Sequence, residues 1–263
     1  MNAMKKKVLF ILGGGAAALV LAVVIFALTF NINAYKPRIE AAASGATGLD
    51  VRINGKMRLS FFPFGVSAKD IHVANKGGEI LSLENLNLGV ELMPLLKKQL
   101  KVTGCELVKP VVTIVKDADG KYNFENTERK STKGQPGAAF SLNEFKLSKG
   151  IFVYIDKKTG EKTEFKDFNL AIKDLLITDT SDIIKNVSFS GSFDCKEVLK
   201  KDLNIDNVKS PIKAKKGVIY LMSLTMDIFG AKAEGDVTAD KSEADAVYKI
   251  NLKISKLDFE KLQ

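Results

Sequence analysis

Residues 219–228 read IYLMSLTMDI. Tyr220, Met222, Leu224, Met226 and Ile228 fall on every second position and share one face of an extended strand. Ser223, Thr225 and Asp227 hold the other face, preceded by Ile219 and Leu221. A period of two marks a strand with one apolar and one polar side.

The pattern repeats in both directions. Downstream, Tyr248, Ile250, Leu252 and Ile254 face away from Lys249, Asn251 and Lys253, and Lys232, Glu234 and Asp236 alternate with small residues. Upstream, Phe168, Leu170 and Ile172 form one set, and Val187, Phe189 and Phe193 another. Leu86, Leu88, Val90 and Leu92 alternate with Asn85, Asn87, Gly89 and Glu91. Val51 and Ile53, then Met57, Leu59 and Phe61, open the series, and Phe62-Pro63 closes it at a strand end. Leu100–Val102, Pro110–Val115, Phe140–Leu147 and Gly150–Asp156 are further strands. Roughly a dozen strands without sustained βα alternation predict a mainly β protein built on an antiparallel sheet.

Four short helices are expected. Ala34–Thr47 has Pro37 near its start and Gly45 and Gly48 near its end. Met93–Gln99 reads as a single turn, and Lys256–Gln263 as the opening of a helix. Asp194–Leu203 (DCKEVLKKDL) has Val198, Leu199 and Leu203 on one side and Asp194 as N-cap.

Ahead of the strands lies VLFILGGGAAALVLAVVIFALTF, Val8–Phe30, with no charge and one weakly polar side chain, Thr29. As a helix it is about 34 Å long, enough for a hydrocarbon core of about 30 Å. Val8, Leu9, Phe10, Ile11, Leu12, Leu19, Val20, Leu21, Val23, Val24, Ile25, Phe26, Leu28 and Phe30 are its membrane-spanning apolar residues. Lys5, Lys6 and Lys7 precede it directly, so the N-terminus should stay cytoplasmic and the body should be exported. A cleaved signal peptide is the competing reading, but its apolar core is usually only about 7–15 residues. The expected organisation is a basic N-terminus (1–7), a transmembrane helix (8–32), a first β-region (33–124), a polar linker or long loop (125–139) and a second β-region (140–263).

Composition excludes several classes. The formal net charge is +9, but lysine is spread along the chain, which suits a solvated surface and attraction to anionic head groups. No Arg-rich arm or nucleic-acid motif is present, so nucleic acid is not an expected partner. One histidine, His72, without zinc-type spacing makes a metal site improbable, and no cofactor is expected. Asp117-Ala118-Asp119-Gly120 imitates half a calcium loop but has no downstream Glu, and reads as a tight turn. Asp70, Asp117, Asp119 and Asp156 sit in no setting that argues for shifted acidity, and no nucleophile or phosphate-loop motif occurs, so an enzyme is not expected. Cys105 and Cys195 could pair in an oxidising compartment or remain two buried thiols.

In order along the chain come the lysine-preceded anchor and short helix, then Thr47-Gly48, Val51-Arg52-Ile53-Asn54-Gly55 and Leu59-Ser60-Phe61-Phe62-Pro63. PVVTIVKDADGKYNF (Pro110–Phe124), GIFVYID (Gly150–Asp156) and Phe229-Gly230 through Asp240 follow. This series resembles the AsmA family of bacterial envelope proteins over nearly the whole chain. AsmA-like chains usually continue well beyond the point corresponding to Gln263, where this sequence departs from the pattern.

The resemblance implies an elongated, twisted sheet curved into a groove with an apolar inner face, similar to bridge-like lipid carriers. Leu86, Leu88, Val90, Tyr220, Met222, Leu224, Met226, Ile228, Ile250 and Leu252 would line that groove. Membrane phospholipid is the implied cargo and an envelope protein a further partner, with oligomeric state open. The implied location is the bacterial inner membrane, single-pass, with a periplasmic body. The implied role lies in outer-membrane assembly or lipid homeostasis. A scaffold that assists outer-membrane protein assembly through strand edges is the alternative. Alternation by itself points first to an ordinary β-sandwich, in which two sheets cover each other.

Overall fold

The structure, a computed structural model, describes residues 31–61, 64–91, 93–94, 101–124, 140–179, 182–201, 203–243 and 245–255. A 3-10 turn (Ile32–Tyr35) leads into helix α1 (Lys36–Thr47). Strands β1 (Asp50–Ile53), β2 (Met57–Phe61), β3 (Phe64–Asn75), β4 (Gly78–Val90), β5 (Val102–Val108) and β6 (Val111–Lys116) follow. Then come β7 (Phe140–Asp156), β8 (Glu161–Ile177), a helical turn α2 (Ile183–Asn186), β9 (Val187–Lys200) and β10 (Leu203–Lys215). The last described strands are β11 (Val218–Ile228), β12 (Ala231–Asp240) and β13 (Val247–Ile254).

These thirteen strands form one large curved sheet, ordered β1-β3-β4-β5-β7-β8-β9-β10-β11-β12-β13, with β2 beside β3 and β6 between β4 and β7. Among the described residues no second sheet faces it, so the sandwich does not describe this architecture. The sheet is also mixed rather than purely antiparallel. β5 and β6 run end to end and both pair parallel with β7. Pro110, which has no N–H to donate, separates them, and the chain after Lys116 returns to the end where β5 began. The remaining pairings are antiparallel.

Local chemistry sets the connections. α1 has proline in its first turn and ends at Gly48, whose φ of 73° lets its N–H donate to Ser44 O at 2.8 Å. Glu40 Oε1 accepts from Ile53 N at 2.6 Å, which ties the helix to β1. The hairpins β10–β11 and β11–β12 turn over Lys216-Gly217 and Phe229-Gly230, all with positive φ, as two-residue turns matched to strand twist require.

One irregularity crosses most of the sheet. Asp70 in β3 and Glu84 in β4 are passed over by the pairing between them. Lys109, Lys149 and the Asp167, Lys196, Asn207 row continue that line through β5–β6, β7, β8, β9 and β10. Asp70, Lys109, Lys149, Asp167 and Asn207 have φ between 48° and 54°. All seven residues are exposed. We call this line the seam. At the seam each strand carries two consecutive side chains away from the apolar side, as in a β-bulge, which bends a strand and raises its twist.

The seam corrects one predicted element. Asp194–Leu203 is not a helix; residues through Lys200 belong to β9. Cys195 and Val198 share a face three residues apart because Lys196 and Glu197 are both spent on the polar side, and that spacing imitates a helical one. The predicted anchor Val8–Phe30, the loop 125–139, Lys256–Gln263, Phe62-Pro63 and most of Met93–Gln99 lie outside the described residues.

Candidate functional site

Residues opposed across a ladder share a sheet face, so the register traces each face across the whole structure. On one side of the seam, Leu59, Val66, Leu88, Cys105, Phe145, Ile172, Gly191, Ile212, Leu221, Val237 and Ile250 pair in one unbroken row from β2 to β13. On the other side, Val51, Val73, Leu81, Val112, Phe152, Phe165, Val198, Ile205, Ile228 and Ala231 form a second row. Neither row contains a polar side chain. The opposite face carries rows such as Ser67, Asn87, Glu106, Lys146, Ala171, Ser192 and Pro211. There Asn87 donates to Glu106 at 2.8 Å and Lys166 pairs with Glu197 at 2.8 Å.

Among the described residues, the apolar face is covered at its first end. Ile53, Met57, Ala68, Ile71 and Leu83 form a buried cluster there, with Ile32 of the 3-10 turn packed against it. Most other residues of the two rows are half-buried, touched by neighbours within the sheet. At β13 the face is open: Tyr248, Ile250, Leu252 and Ile254 lie on it, and Ile250 is 65% exposed.

Of the ten predicted groove residues, Leu86, Leu88, Val90, Leu224, Met226, Ile228, Ile250 and Leu252 lie on this face. Tyr220 and Met222 do not. A bulge at Ser223 (φ 51°) shifts the pairing between Leu221 and Leu224, so Ile219 and Leu221 join Leu224 on the apolar side. Tyr220 pairs with Lys213 and Thr238 on the polar face, 37% exposed, whereas Leu224 is 4% exposed. Phe152, Phe165, Phe168 and Phe193, in the middle of the face, are outside the predicted groove lining, although Phe168 and Phe193 belong to predicted alternating sets.

A concavity of about 270 Å³ sits at the seam, lined by Pro110, Val112, Leu147, Gly150, Ile151, Phe152, Phe165 and Phe168. The Phe152 and Phe165 rings meet edge-on with centroids 5.7 Å apart. A larger concavity, about 630 Å³, lies over β10–β13 and is lined mainly by polar-face residues, including Lys209, Asp227, Lys232, Glu234 and Lys253.

The structure also places the two thiols, the histidine and the Asp-Gly turn. Cys105 and Cys195 are both unpaired, with β7 and β8 between their strands, and burial pushes both thiols up. His72 contacts Glu79 at 2.5 Å and Asp70 at 3.0 Å, and these carboxylates raise its pKa. Asp117–Gly120 is a turn: Asp117 Oδ1 accepts from the N–H groups of Asp119 and Lys121. Asn123 folds back onto β6, accepting from Val115 N and donating to Thr113 O. No group of three or more potential metal ligands occurs among the described residues. No helix among them is long and apolar enough to cross a membrane.

The described residues thus form a single sheet with one continuous apolar face. The model of the AsmA family matches residues 4–202, and the chain belongs to that family. The family points in general to membrane-associated, envelope- and lipid-related roles in bacteria. No curated protein matches the chain. The match ends near the β9–β10 turn, yet β10–β13 continue the same two faces.

Proposed function

We propose that this protein is anchored in the inner membrane by Val8–Phe30, with its body in the periplasm. There it holds or passes phospholipid along the apolar face, in outer-membrane assembly or lipid homeostasis, without catalysis. The observation that carries the reading is the pair of uninterrupted apolar rows, which beyond their first end have no covering layer among the described residues. Leaving such a face to water is unfavourable by about 25 cal/mol per Å². Acyl chains against it, with head groups at the rim, satisfy both phases. The eleven ranks of the main strand path span about 50 Å at ~4.8 Å each. That length suits a short carrier or one segment of a longer path.

Native mass spectrometry of the full-length chain tests this. Phospholipid retained at fixed stoichiometry and lost in Leu88→Glu, while lipid around the anchor persists, supports it. Identical lipid content in wild type and Leu88→Glu opposes it.

A second reading rests on β13, an edge strand paired only with β12 among the described residues. Such an edge can template a partner strand. If the protein acts as a scaffold in this way, removing β13 should disturb porin assembly while leaving lipid distribution normal.

A further inference from the structure

We propose that the concavity at the seam is a fixed dock for one acyl chain of a membrane phospholipid, where a chain moving along the apolar face is held rather than passed freely. The inference rests on the lipid-carrying reading and specifies where on the face that lipid is gripped. The seam creates the dock. Because each strand spends two residues on the polar side there, the two apolar rows separate locally, and Pro110, Gly150 and Phe168 lie between them. Pro110 is fully buried and forms the floor. Gly150 sits tight against the lining: a β-carbon on it would lie 2.6 Å from Leu147 Cδ2, 3.3 Å from Phe168 O and 3.4 Å from Pro110 Cγ, so any side chain there must displace the walls. Phe165 and Phe168 stand on either side of Asp167, and Phe152 closes the wall against Phe165.

The chemistry selects the occupant. Only hydrocarbon side chains of these residues reach the cavity, so a buried head group or peptide amide would lose its hydrogen bonds. A partner strand is also unsuited, because β7 and β8 are paired along both edges. About 270 Å³ falls below the roughly 300–1,000 Å³ of sites that enclose a whole ligand, so the dock takes part of a chain and leaves the head group outside.

The test places benzoylphenylalanine at Phe165, or at Leu88 as a reference on the same face, in full-length protein in cells fed radioactive phosphate. Illumination should give labelled phospholipid adducts at both positions. Val112→Trp fills the cavity and should lower the Phe165 adduct about tenfold, the equivalent of roughly two methylene groups left uncovered, with the Leu88 adduct unchanged. Gly150→Ala should lower it by less, and decides the matter if Val112→Trp fails to accumulate. Adducts at Leu88 with none at Phe165, or with neither variant having an effect, overturn the dock and leave the lipid-carrying face standing. No adduct at either position overturns both.

Discussion

Asp167 of β8 and Asn207 of β10 lie on opposite sides of Lys196 in β9, and both adopt left-handed backbone, with φ of 49° and 53°. They are two points on a seam that keeps each strand it crosses apolar on the same side before and after it. Without the seam, a strand such as β8 would turn Phe165 away from Phe168. The seam therefore links local backbone geometry to the continuity of the apolar face.

Left-handed φ is unfavourable by about 1–2 kcal/mol for most L-residues and worst for β-branched ones. Asp167→Val should lower unfolding free energy by about that amount. Asp167→Gly should stay within about 0.5 kcal/mol of wild type. Urea unfolding at unchanged m-value reads both, and equal losses for valine and glycine would count against strain at the seam.

Residues of β11 should respond by face rather than by hydrophobicity. Leu224→Ala should destabilise by about 2–5 kcal/mol, because Leu224, opposite Gly235 of β12, is 4% exposed. Tyr220→Glu, on the polar face, should stay within about 0.5 kcal/mol. Thermal denaturation of the two variants decides it; a large loss for Tyr220→Glu would refute the bulge at Ser223.

His72 gives a pH dependence of known sign. Glu79 first and Asp70 second hold its folded pKa above 6.5, so the pair's stabilisation is full below about pH 6.5 and is lost as pH rises through the raised value. The stability difference between wild type and His72→Gln should be largest just below about pH 6.5 and shrink as pH rises through the raised value. A gap that widens toward alkaline pH would contradict the assignment.

The two thiols should remain reduced and slow to react. Cys105 and Cys195 are unpaired and their pKa values are raised by burial. Alkylation followed by mass measurement should add two labels after unfolding and neither at a comparable rate in the folded protein. Protection of both thiols after unfolding without reductant would reveal a disulfide.

Much of the sheet was readable in advance because alternation such as Leu86, Leu88 and Val90 directly encodes one apolar face. What alternation cannot encode is which strands pair, so a single layer and a sandwich looked alike until Leu88, Cys105 and Phe145 were seen in one row. The parallel entry of β7 was hidden for the same reason. Bulges misled in two opposite ways. Val198, Leu199 and Leu203 imitate one side of a helix, although residues through Lys200 lie in β9. Tyr220 through Ile228 alternated without a break although Ser223 shifts the face; the apolar Ile219 and Leu221 were the available hint. The seam itself was present as repeated three-residue steps, Leu83 to Leu86, Phe165 to Phe168 and Ile205 to Val208, but only the pairing aligns them into one line.

The most direct test of a lipid-holding face uses two adjacent residues of β4. Benzoylphenylalanine at Leu88 sits on the apolar face, and at Asn87 on the polar face, where Asn87 otherwise donates to Glu106. In illuminated cells carrying the full-length protein, Leu88 should give a phospholipid adduct and Asn87 should not. Equal labelling at the two positions, or labelling at neither, would contradict the account.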